Sequence, residues 1–218
     1  MRKIYLFFVI LGIIAIAALN VEAQSKDIDI LISAAEKGDI NTVVYLIDEG
    51  MDVNTKDRNG FTLLNAAANK GRTEIALIAI EAGADLDSRD ANGQTALLNA
   101  AAGGYREVVY FLIEAGAEVN TKNRNSVTPL SVSVARGNVK IAKLLIDAGA
   151  DVSVGEEKGA SMLLTAVDDG NSEIVRLLID AGADVNAKSQ CGTPILKYAS
   201  PKRNAKIFQM LKNAGARD

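Results

Sequence analysis

Between Val139 and Ala148, the apolar residues Ile141, Ala142, Leu144, Leu145 and Ala148 fall at i, i+1, i+3, i+4 and i+7. One face of a helix is therefore apolar and the opposite face polar, which predicts a helix buried along one side. Its second half belongs to the phrase "LLIDAGADV", which occurs at Leu144–Val152 and again at Leu177–Val185, 33 residues later. A glycine follows the same interval through Gly50, Gly83, Gly116, Gly149, Gly182 and Gly215. Leu31, Leu64, Leu97, Leu130, Leu163 and Leu196 form a second column, and Gly38, Gly71, Gly104, Gly137 and Gly170 a third.

Each column predicts a structural element. Asp29, Thr62, Thr95, Thr128 and Ser161 share one position, and each can cap a helix by accepting from its free N–H groups. Pro129 follows at the first helical position, where its missing N–H costs nothing. Small residues such as Ala66, Ala67 and Ala68 let neighbouring helices approach closely. The Gly71 column then marks a break suited to a left-handed backbone. A second helix follows and ends at the Gly149 column, a residue past its C-cap. Asn59-Gly60 and Asn92-Gly93 supply turn chemistry for an extended excursion between units. Such a unit buries its apolar face only against copies of itself, and the leucine column of Leu64 with the column of Ile75 is expected to form the core.

The unit "NRNSVTPLSVSVARGNVKIAKLLIDAGADV" resembles the ankyrin repeat, and the resemblance extends over residues 27–218 in six units. It implies an all-α solenoid of helix-turn-helix units with projecting β-hairpin loops. The units run over about 27–57, 58–90, 91–123, 124–156, 157–189 and 190–218. Only Thr128-Pro129-Leu130 keeps the family's full Thr-Pro-Leu. The family's histidine column reads Ile32, Asn65, Leu98, Ser131, Leu164 and Lys197, which implies weaker or rearranged hydrogen bonding between units. Both end units are expected to carry polar caps, the first through Glu36, Lys37, Asp39, Asn41 and Thr42. The last unit has Lys197, Lys202, Arg203, Lys206, Gln209 and Lys212, and Pro201 and Arg203 interrupt the pattern there.

Residues 1–23 do not belong to the repeat. "MRK" precedes an apolar run, Ile4–Leu19, and Val21 and Ala23 supply small residues at a cleavage site. The order reads as a secretory signal peptide cut between Ala23 and Gln24, which leaves residues 24–218 in the periplasm or secreted. The alternative is an uncleaved membrane anchor, although 16 apolar residues fall short of the roughly 20 that span a bilayer. No cysteine follows the run to carry a lipid anchor. No Asn-x-Ser/Thr acceptor occurs, in keeping with a bacterial periplasm.

Composition then narrows the chemistry. The 218 residues contain no histidine, no tryptophan and one cysteine, Cys191. Imidazole general bases, Ser-His or Cys-His nucleophiles and His-liganded zinc are thereby excluded. One thiol cannot form an intramolecular disulfide, though it leaves an intermolecular one open. Cleavage would change 24 basic and 27 acidic side chains to 22 and 26, a net charge of −4, which disfavours nucleic acid as a partner. "SRDANG" at Ser88–Gly93 imitates a calcium loop but begins with Ser and has Asn99 at the twelfth place, so it reads as a hairpin turn. Glu156-Glu157 and Asp168-Asp169 read as solvated carboxylates. No catalytic residue, cofactor site or metal site is expected.

The expected function is that of a non-enzymatic scaffold that holds a protein on a concave face built from hairpin tips and first helices. Candidate contacts are Arg58, Phe61, Lys70, Arg89, Gln94, Arg124, Val127, Arg136, Glu157 and Asp168. Phe61 and Val127 stand out in a column that is polar or small elsewhere, as at Gln94, and are expected to be apolar anchors. Basic tips at Lys56, Arg58, Arg89, Lys122 and Arg124 precede the acidic Glu156, Glu157, Asp168 and Asp169. After signal cleavage no membrane contact is expected, and the chain is expected to be a monomer.

Overall fold

A computed structural model describes residues 27–153 and 161–217; the segment expected to be a signal peptide, Glu156 and Glu157 lie outside the described residues. Among the described residues twelve helices follow in order, beginning with α1 (27–37), α2 (Ile40–Asp48), α3 (Leu63–Lys70), α4 (Thr73–Glu81), α5 (Ala96–Gly103) and α6 (Arg106–Glu114). The second half contains α7 (Pro129–Ala135), α8 (Val139–Asp147), α9 (Met162–Asp168), α10 (Ser172–Asp180), α11 (Ile195–Tyr198) and α12 (Pro201–Asn213). They form six pairs, and each pair packs on the next. Among the described residues, β pairing is limited to a bridge between Lys188 and Pro194.

The caps explain where first helices begin. The hydroxyls of Thr62, Thr95, Thr128 and Ser161 accept from the N–H groups of Asn65, Leu98, Ser131 and Leu164. Each such cap is worth about 1 kcal/mol. Asp29 departs from this pattern. It lies inside α1, whose helical backbone already includes residues 27 and 28. Second helices end as expected, with Gly149 at φ 87° just after the C-cap Ala148.

Glycine is needed most clearly at Gly71. Its φ is 65°, and a Cβ there would come within 2.3 Å of the Tyr105 ring. A Cβ at Gly103 would also strike that ring, at 2.1 Å, so the Gly103-Gly104 pair makes room for an aromatic in a column that is otherwise Asp39, Arg72, Asn138, Asn171 and Asn204.

The core is continuous from end to end. Leu31, Leu64, Leu97, Leu130, Leu163 and Leu196 are all buried, as are Ile75, Val108, Ile141, Ile174 and Ile207. Ala66, Ala67 and Ala68 are fully covered, which lets α3 and α5 pack closely. In the column where the family has histidine, Leu98 and Leu164 are buried apolar residues. Asn65 keeps a polar link: its Nδ2 donates at 3.3 Å to the Ser88 carbonyl, in the loop that leads into the next unit, while its Oδ1 accepts from the Thr62 hydroxyl. Ser131 turns back and donates to the carbonyl of Thr128.

A second set of inter-unit bonds runs along the loops after the second helices. Asn54 Oδ1 accepts from Asp85 N at 2.7 Å, and its Nδ2 donates to the Gly83 carbonyl. Asp87 accepts from Glu118 N, Asn120 from Asp151 N, and Asn186 from Arg217 N. At Ser153 the column changes, and the short hydroxyl bonds within its own loop to Asp151.

Candidate protein-binding surface

Hairpin tips form because one side chain in each closes the turn. Asp57 Oδ1 accepts from the N–H groups of Asn59 and Phe61, both at 2.8 Å, while Asp57 N donates to the Phe61 carbonyl. Asp90 closes the next tip through Asn92 N and Gln94 N, and Asn123 the one after through Asn125 N and Val127 N. The turn needs a left-handed residue, supplied by Gly60 and Gly93; at the third tip Ser126 takes that conformation at φ 61°.

The tips are joined to one another. Ala91 N donates to the Asn59 carbonyl at 2.9 Å, and Arg124 N to the Asn92 carbonyl at 3.2 Å. Lys56 Nζ donates to the Arg89 carbonyl at 3.0 Å, and Arg89 Nη1 to the carbonyls of Lys122 and Gly93 at 2.6 and 3.0 Å. Units two to four thus present one connected platform rather than three separate loops.

The candidate side chains fall into distinct settings. Arg58, Arg124 and Arg136 are exposed and have no ion pair among the described residues. Lys70 is exposed and lies 3.9 Å from Glu36, a loose pair worth little in water. Arg89 is committed to the neighbouring tip. Asp168 is bound by Arg203 of the last unit, whose Nη1 reaches its carboxylate and Nη2 its backbone carbonyl, both at 2.9 Å. Phe61 is half-buried and packs against the core, while Val127 and Gln94 are half-buried at the base of their tips. Glu157 lies outside the described residues.

Sequence reasoning missed the Arg72–Glu36 contact, in which Arg72 Nε donates to the Glu36 carbonyl at 3.0 Å. Glu36 and Asp168 occupy the same column, so two arginines close the same helix end at opposite ends of the stack. The shared column of their acceptors was the available signal. Cys191 is exposed and unpaired, and no group of three or more Cys, Asp or Glu residues is placed to hold a metal among the described residues. No described helix is long and apolar enough to cross a membrane.

The family model for ankyrin repeats (3 copies) matches residues 12–90, 31–123, 77–156 and 130–217 in overlapping registers. The chain belongs to the ankyrin repeat family. It is similar to an ankyrin repeat domain from Acinetobacter baumannii AYE, with 31% identity, a TM-score of 0.79, and coverage of 86% of this chain and 98% of that one. It is also similar to the ankyrin repeat domain of Bcl-3, a member of the IkappaB family, with 25% identity, a TM-score of 0.76 and 86% of each chain covered. No curated protein sequence matches it. Ankyrin repeats generally mediate protein–protein interaction.

Proposed function

We propose that this ankyrin domain is an exported, non-enzymatic binding module that holds a protein partner against its hairpin tips and first helices. The observation that carries the reading is the connected platform of units two to four, from which Arg58 and Arg124 project without an ion pair among the described residues. Such cations steer an acidic surface into register, and half-buried apolar residues beside them supply contact area. Protection or neutralisation of the bound protein is the role that fits an exported scaffold without catalytic groups. The charged start, apolar run and small residues of 1–23 support export, with residues 24–218 released to the periplasm or beyond.

A photoreactive residue placed at position 58 or 124 in the native host tests the site. The expected result is one crosslinked protein from both positions and none from Lys140 on a second helix. Equal capture from position 140 would overturn the assignment. The mass of the recovered chain tests export: a start at Gln24 is expected, and an intact Met1 in the membrane fraction would favour an anchored organiser instead.

A further inference from the structure

The two ends of the stack differ in a way that polar capping alone does not explain. Ile30 is 42% exposed, whereas the residues of its column in later units, Leu63, Ala96, Met162 and Ile195, are at most 5% exposed. In those units the preceding repeat supplies the cover, and no described residue precedes the first unit. Tyr45, 60% exposed, and a groove of about 400 Å³ lined by Ile28, Leu46, Glu49, Met51 and Asp52 belong to the same unit. Apolar area of this kind, rimmed by polar groups, marks an interaction surface.

The rim indicates what covers it. Asp27, Asp29, Asp48, Glu49 and Asp52 are all exposed on the first unit. The last unit carries Lys197, Lys202, Lys206, Lys212 and Arg217, all exposed. Lys197 stands in the column of Asn65 and Leu98, which the following unit buries. Lys212 stands in a column that is isoleucine in all five earlier units, Ile47 to Ile179. Phe208, half-buried, replaces Val43, Val109 and Val175, which are fully covered. One end is thus acidic around an apolar face, and the other is basic around a partly exposed aromatic. Two acidic faces repel each other, so a symmetric pairing of first units is disfavoured.

We propose that a second copy of this chain docks head to tail, its first unit continuing the stack where a seventh unit would sit. The proposal rests on the removal of residues 1–23, and it replaces the expectation of a strict monomer with weak, concentration-dependent association. The interface is heterologous, so it propagates instead of closing at two.

Sedimentation equilibrium of residues 24–218, which contain the whole core, tests it independently of export. The wild-type average mass is expected to rise with concentration past that of a dimer, and to fall with added salt. A head variant, Ile30→Lys with Tyr45→Lys, and a tail variant, Lys197→Glu with Lys212→Glu, should each remain monomeric while keeping wild-type circular dichroism. Mixed in equal amounts, they should form a dimer and nothing larger, because each retains one working end. A wild type that stays monomeric throughout overturns the proposal. So does association abolished by the head variant and untouched by the tail variant, which would show first units pairing with each other.

Discussion

Asn120 holds Asp151: its Oδ1 accepts from the Asp151 N–H at 2.9 Å, and its Nδ2 donates to the Gly149 carbonyl at 3.3 Å. The same side chain thus ties unit three to unit four through both a donor and an acceptor. Thirty-three residues later Ser153 is too short to repeat the grip on Asp184. Replacing Ser153 with Asn is expected to restore it and stabilise the fold by about 1 kcal/mol. That corresponds to a rise of about 2–4 °C in Tm for a chain of this size. Asn120→Ala should lower stability by about 1–2 kcal/mol. A Ser153→Asn variant no more stable than wild type in urea unfolding would show that the fourth and fifth units are joined by other means.

Ser126 and Gly93 occupy the same place in successive tips, but only glycine adopts the left-handed backbone without penalty. Ser126→Gly is expected to stabilise by about 0.5–1 kcal/mol, the relief of strain outweighing the added freedom of the unfolded chain. Gly93→Ser should be worse than the natural serine is at 126, since a Cβ at Gly93 meets Arg124 N and Cγ at 3.3 Å. The pair can be compared by thermal unfolding, and an unstable Ser126→Gly variant would contradict the turn assignment.

The strict 33-residue period made most of this fold legible. A position buried in one unit is buried in the next, so the caps at Thr62 and Ser161 and the leucine core followed from columns alone. The exceptions lie where a unit lacks a neighbour or a side chain has a choice. Asp29 failed as a cap because it sits within α1, with helical residues already before it. Arg89 and Arg58 look alike in sequence, yet one spans two tips and the other points to solvent, since a flexible cation takes whatever carbonyl geometry lies within reach. Asp168 read as a solvated acid because its partner, Arg203, belongs to the one unit that departs from the repeat. Phe61 was expected as a surface anchor, and it lies at the foot of its tip, partly on the core.

Asp39 accepts from the Thr42 hydroxyl at 2.7 Å and from Thr42 N at 3.2 Å, and these bonds hold its carboxyl below the ordinary value of 3.8. The Ser153 hydroxyl and N–H do the same for Asp151, with Lys122 adding a smaller effect. A depressed folded-state pKa contributes stability that is present above 3.8 and lost as pH falls through the lower folded value. With no histidine in the chain, stability should be nearly flat between about pH 5 and 8 and should decline below about pH 4. Asp39→Asn keeps a good cap and should flatten part of that acid limb. A urea midpoint that drops between pH 7 and 6 would contradict the assignment.

The binding surface is tested by separating steering from anchoring. Arg58 and Arg124 project from joined tips and are not part of the core, so changing both to Glu should leave the unfolding midpoint within about 0.5 kcal/mol of wild type. Toward the crosslinked partner, the double variant should associate more slowly, and its rate should lose the salt sensitivity seen with wild type. Arg89→Glu is expected to behave differently, because Arg89 donates to Lys122 and Gly93 carbonyls and its loss loosens the platform itself. Phe61 packs against the core while remaining partly open, so Phe61→Ala should cost stability as well as affinity. Its share of binding, about 1–2 kcal/mol, should appear in the dissociation rate. The readout is therefore a pair of rate constants for each variant, measured well below its unfolding temperature. Slow association for Arg58→Glu/Arg124→Glu with unchanged dissociation, and the reverse for Phe61→Ala, is the pattern expected of the tip surface. Rates unchanged in both variants would move the partner off the tips and onto another face of the stack.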